Sequence, residues 1–177
     1  MDGMTLLGRG ETLSGGTGRR PSASLYALLP LRLFLGVTFL YAGLDKLTDG
    51  AFLASDGPGS LGELMRSCRD SAGAPWLVDL GLHSPVGFGW AIGLGEVAVG
   101  AATLLGLFAR VAAAGGALIS LCLWLTVSWS STPYYYGNDL VYLMAWLPLA
   151  IAGAPLLSLD AVRPRRRARA RRGALFT

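Results

Sequence analysis

Four ionisable and two aromatic side chains, Arg32, Lys46, Glu96, Asp139, Tyr142 and Trp146, lie within or at the ends of apolar runs, where charge is out of place. Glu96 is the sharpest case. It stands in GLGEVAVG, about eleven residues from either end of its run, which at 1.5 Å per residue puts it roughly 16 Å deep in a helix. A charge at the centre of a bilayer costs at least about 2.5 kcal/mol, so such a group is either paired or functional. A carboxyl group held away from water can pass on a proton or hydrogen-bond a quinone headgroup, which makes Glu96 the candidate catalytic residue. The competing reading is a buried ion pair that fixes helix register.

Spacing suggests the partners. Gly89, Gly93, Glu96, Gly100 and Thr103 recur at intervals of four and three, as do Arg32, Gly36, Phe39, Gly43 and Lys46. Each set makes one face of a helix, almost bare of side chains apart from its charges, and small residues let helices approach closely in lipid. The two stripes are expected to face each other, with Arg32 extending toward Glu96 and Lys46 meeting Asp139. Asp139, Tyr142 and Trp146 share a face of a later helix and are expected to line an inward pocket.

Other chemistries lack their residues. Cys68 and Cys122 form no CxxC pair, which removes a dithiol relay and sulfur-cluster ligation on this chain. His83 is the single histidine, so a bis-histidine haem and a multi-histidine metal site are excluded. The arginines of RPRRRARARR read as a topology anchor on anionic headgroups rather than as a nucleic-acid surface.

The elements that must position these residues are membrane helices. Hydrophobic residues make up 53% of the chain and charged ones 15%, against roughly 25% charged in soluble domains. Four runs approach the length of about 20 residues that a span requires, at about 25–47, 85–108, 111–129 and 136–154. None alternates like a barrel strand, so the expected fold class is an all-α integral membrane protein, a four-helix transmembrane bundle. Arg9, Arg19 and Arg20, then Arg110 between the second and third runs, then the arginine-rich end all fall on one side, which predicts both termini in the cytoplasm. The 48–84 loop is then outside, and Ser60 followed by Glu63 predicts a short surface helix within it. Residues 1–24 read as a disordered cytoplasmic tail without a cleavable signal, 25–160 as the membrane domain and 161–177 as a basic cytoplasmic tail. The aromatics Trp129 and Tyr134 read as an interfacial belt.

Several of these segments resemble one family. LRLFLGVTFLYAGLDKLTDGAF resembles the opening of the DoxX/DoxD membrane family, GLGEVAVGAATLLGLFARVAAAGG its second and third helices, and TPYYYGNDLVYLMAWLPLAIAGA with the following SLD its fourth. The long outer loop and the SLD ending look more like the DoxD branch, the small subunit of thiosulfate:quinone oxidoreductase. The resemblance implies a multi-pass subunit in a bacterial or archaeal plasma membrane, passing electrons from thiosulfate or another sulfur or thiol donor to quinone. Arg32, Lys46, Arg110, Asp139, Tyr142 and Trp146 are the expected quinone- or substrate-binding residues. Quinone is the expected cofactor, with no haem, iron–sulfur cluster or metal on this chain. The expected partners are the lipid bilayer and a partner redox protein or second subunit, with self-association left open. Two other readings suit the same residues: a non-catalytic scaffold for soluble redox enzymes, and a small proton-coupled transporter using Glu96.

Overall fold

The computed structural model describes residues 23–153. The leader, the basic tail and the SLD motif lie outside the described residues. Six α-helices follow one another: α1 (Ala23–Thr48), α2 (Leu61–Cys68), α3 (Pro75–Leu82), α4 (Pro85–Leu105), α5 (Ala109–Leu123) and α6 (Asn138–Ala152). A π-helical turn, Trp124–Ser128, prolongs α5, and a 3-10 turn, Tyr134–Tyr136, precedes α6. No strand occurs among the described residues.

Among the described residues, three helical segments are long and apolar enough to cross a membrane: Tyr26–Thr48, Pro85–Leu105 and Ala109–Ser128. α6 is apolar but has 15 residues, about 22 Å of helix against a hydrocarbon core of about 30 Å. The sides of these helices that turn away from the bundle are apolar: Val37, Tyr41, Leu94, Val111, Leu118, Val141 and Ile151 are all exposed. Water would not tolerate so continuous a surface, whereas lipid solvates it, and the bundle is therefore in contact with the bilayer.

α1 lies along α4, α5 along α6, and α6 closes back on α1. The buried residues of α4 are the five residues of its stripe, Gly89, Gly93, Glu96, Gly100 and Thr103. Glycine is required where the helices meet. A Cβ on Gly100 would stand 2.5 Å from the backbone nitrogen of Leu40, and one on Gly43 would stand 2.6 Å from the Gly93 carbonyl. Phe39 and Leu35 on α1, Ala113 on α5, and Trp146 and Leu149 on α6 form the core.

The second span ends sooner than its apolar run implies. Gly106 takes the left-handed conformation (φ 63°) and stops α4, and Phe108 (φ 47°) turns the chain into α5. Arg110 thus sits in the first turn of α5 rather than in the connection itself. The 48–84 segment holds two helices instead of the single one predicted. The Glu63 amide donates to Ser60 Oγ (3.2 Å), the N-cap that starts α2, and Gly59 N–H donates to Glu63 Oε2 (3.1 Å), one residue before the amide a capping box would use. α2 is not a surface helix all round: Leu61 and Met65 are buried with Val78 of α3 in a second small core. Arg69 grips Asp79 through Nε (2.5 Å) and Nη2 (2.9 Å), tying the end of α2 to α3. The Ala74 amide donates to the Leu125 carbonyl (3.1 Å), which fastens this two-helix cap to the π-helical turn.

Candidate functional site

The glycine contacts fix the register of α1 on α4. Gly43 faces Gly93 and Val97, while Gly36 faces Gly100 and Leu104, so seven residues forward on one helix are seven back on the other. The helices are antiparallel, and each charge on α1 is assigned its own level of α4.

At one end, Lys46 Nζ donates to both carboxylate oxygens of Glu96, at 3.0 and 2.8 Å. Glu96 is 3% exposed, and the Lys46 side chain is 24% exposed. The expected partnership of Arg32 with Glu96 is corrected here. By the same register Arg32 falls level with or beyond Leu104, eight residues from Glu96, or about 12 Å along the helix. Arg32 instead donates from Nε to the Thr103 carbonyl (2.7 Å) and from Nη2 to the Leu104 carbonyl (2.6 Å). These belong to the last turn of α4, where the Thr103 carbonyl also accepts from the Gly106 amide (3.2 Å) and where a cation complements the helix dipole.

The expected Lys46 contact with Asp139 is replaced in the same way. Glu96 occupies the ammonium, and Asp139 Oδ2 accepts a hydrogen bond from Ser128 Oγ. Ser128 is the last residue of the π-helical turn, which carries an extra residue per hydrogen-bonded ring and so re-aims the end of α5 toward α6. Within that turn Thr126 donates back to the Cys122 carbonyl (2.8 Å).

Lys46 and Asp139 both border a cavity of about 200 Å³. Apart from Thr126, its other walls are apolar: Phe52, then Leu61, Leu64 and Met65 of α2, Phe88 and Ile92 of α4, and Leu123 and Val127 at the end of α5. The loop helix α2 thereby forms one wall of the cavity. Sequence reading did not assign these residues to a site, although Leu61, Leu64 and Met65 at spacings of three and four mark an apolar face. Ser128 carried no sequence signal, because its position depends on the π-helical turn.

The remaining candidates lie elsewhere. Trp146 is fully buried against Phe39, ring centroids 4.9 Å apart and edge to face, and Tyr142 packs on Phe39 at 6.1 Å. Both face inward, but toward the core and not the cavity that Asp139 borders. Arg110 is exposed at the opposite end, where its side chain lies beside Gly153 after α6. His83 is exposed, its Nδ1 2.7 Å from the Asp79 carbonyl oxygen.

No curated protein and no solved structure matches the chain. The DoxX family model matches residues 27–129, which takes in most of α1, all of α2 to α5 and the π-helical turn, with the Lys46–Glu96 pair and most of the cavity wall. The match stops short of Asp139 and α6. DoxX proteins are membrane proteins associated with redox roles, and the apolar helices, the paired glycine stripes and the matched span together make this chain a member of the DoxX family.

Proposed function

We propose that the chain is a membrane subunit of a redox complex in which the Lys46–Asp139 cavity holds a quinone headgroup, while a partner protein carries the sulfur or thiol donor. One observation carries this reading. An ammonium held by a buried carboxylate opens onto an apolar cavity that also borders a second carboxylate. Ligand sites for such rings have mostly apolar walls and a few placed polar groups. Quinone, when bound, supplies the two-electron chemistry. Lys46 donates a hydrogen bond to a ring oxygen, Glu96 positions that ammonium from the opposite side, and α2 with Phe52 helps keep water from the ring.

The charge of the site fits an uncharged ligand. Lys46 is the one cation among the described residues that borders the cavity and Glu96 already engages it, so a sulfur oxyanion finds no free counter-charge there and its donor chemistry belongs to the partner. The occupied Glu96 also favours this reading over a proton-coupled transporter, which needs a carboxylate that an incoming cation can reach.

In this reading α6, with its flanking turn at headgroup depth, completes a fourth span. Both termini are cytoplasmic in a bacterial or archaeal plasma membrane, and the cavity opens at the outer end. With Cys68 and Cys122 replaced by serine, impermeant thiol reagents on whole cells should label Ser67→Cys and not Val111→Cys.

The central test is purification in native lipid, solvent extraction for quinone and identification of co-purifying proteins. Wild-type protein should retain quinone. Lys46→Met should lose it while keeping its helical circular dichroism. Recovery of neither quinone nor a redox partner would overturn the proposal.

A further inference from the structure

The cavity offers a ligand two different polar groups. Lys46 Nζ carries three N–H bonds, and Glu96 takes two of them as hydrogen-bond donors. The third is left for a ligand acceptor. Asp139 accepts from Ser128 through Oδ2, and Oδ1 has no hydrogen-bond partner among the described residues. Asp139 borders the cavity, and an ionised carboxylate only accepts, so it suits a hydrogen-bond donor there. The site therefore suits a ligand that both donates and accepts.

The two redox forms of a quinone differ in this respect. The oxidised ring carries only acceptors; its carbonyl can take the Lys46 hydrogen, but a carbonyl placed against Asp139 sets one lone-pair oxygen against another. The reduced ring carries hydroxyls, which both donate and accept. One hydroxyl can donate to Asp139 while a ring oxygen accepts from Lys46, and both protein groups are then satisfied in a low-dielectric setting where unpaired polar atoms are costly.

From this arrangement we infer that the cavity selects the quinol over the quinone, and that Asp139 is the residue that makes the selection. The inference rests on the quinone reading above and adds the preferred form of the ligand. Its consequence follows from linkage: a site that binds the reduced form more tightly favours reduction of the bound couple and so draws electrons from the donor. Asp139 acts by hydrogen bonding to the ligand, and Ser128 positions it.

The full chain in phosphatidylcholine nanodiscs, titrated under argon by calorimetry, tests this directly. The probes are a short-chain dimethoxy-methyl-benzoquinone, its hydroquinone, and the hydroquinone dimethyl ether, which has no hydroxyl donor. A charge-assisted hydrogen bond corresponds to a preference on the order of tenfold or more for the hydroquinone. The dimethyl ether should bind no better than the quinone. Asp139→Asn should bring the hydroquinone-to-quinone ratio toward one by weakening hydroquinone binding, and its retained affinity for quinone reports an intact cavity. Equal binding of the two forms by the wild type, or an undiminished ratio in Asp139→Asn, would overturn the selection by Asp139 while leaving the quinone reading in place. Binding of neither form would overturn both.

Discussion

The two ends of the α1–α4 interface carry a cation each, from the same stripe and at the same helical phase, yet the cations have different tasks. Arg32 meets the terminal carbonyls of α4 and closes a helix end. Lys46 meets a carboxylate in the middle of α4 and borders a cavity. The difference lies in what the antiparallel partner presents at each level. At the Arg32 level α4 is running out and offers backbone oxygen. At the Lys46 level its backbone is satisfied, and Glu96 is the group available to a cation.

Four experiments test this contrast. The largest effect belongs to the contact both ends depend on. Gly100→Leu drives a side chain into the Leu40 backbone, and we expect a loss of about 3 kcal/mol or more, or no assembled bundle, in a denaturant titration in bicelles. Second, Glu96→Gln leaves the Lys46 ammonium without its counter-charge. A double-mutant cycle of Lys46→Met and Glu96→Gln should show a coupling of about 2 kcal/mol, below that of a fully buried pair because Lys46 is partly exposed. Coupling near zero would mean the pair does not hold the register.

Third, Arg32→Met should cost about 2 kcal/mol through its charge-assisted bonds to carbonyl oxygens, and should leave quinone retention unchanged where Lys46→Met abolishes it. Equal ligand loss in both variants would erase the distinction between the ends.

The smallest effect concerns the cap. The Arg69 hydrogen bonds hold the exposed Asp79 carboxylate below its usual range. A group whose folded value is depressed contributes stability above its unfolded value and loses it as pH falls through the folded value. Protection of the α3 amides, referred to the intrinsic exchange rate at each pH, should therefore fall as the medium is acidified through that range, and Asp79→Asn should remove the step. An unaltered profile in the variant would show that the Arg69 grip does not hold α3.

Much of the scaffold was legible in the residues. Glycines at intervals of four and three define a face whatever the fold, because helical periodicity is local, and the residues picked out on α4 are its buried ones. Length and apolarity likewise marked the three long spans, since lipid demands internally bonded backbone. The candidate site was legible only in part. Lys46, Glu96 and Asp139 could be named, but their pairing could not, and Tyr142 and Trp146 share a face with Asp139 without sharing its cavity.

By itself, then, the sequence determined which residues turn inward, because periodicity and the cost of burying charge in lipid act along one chain. Which of them meet was decided by tertiary structure. The close approach at Gly43 and Gly100 sets a register that puts Lys46 on Glu96 and Arg32 on the end of α4. The π-helical turn brings Ser128 to Asp139, and the folding of the 48–84 segment supplies the apolar wall. These contacts join residues distant along the chain, and local spacing does not encode them.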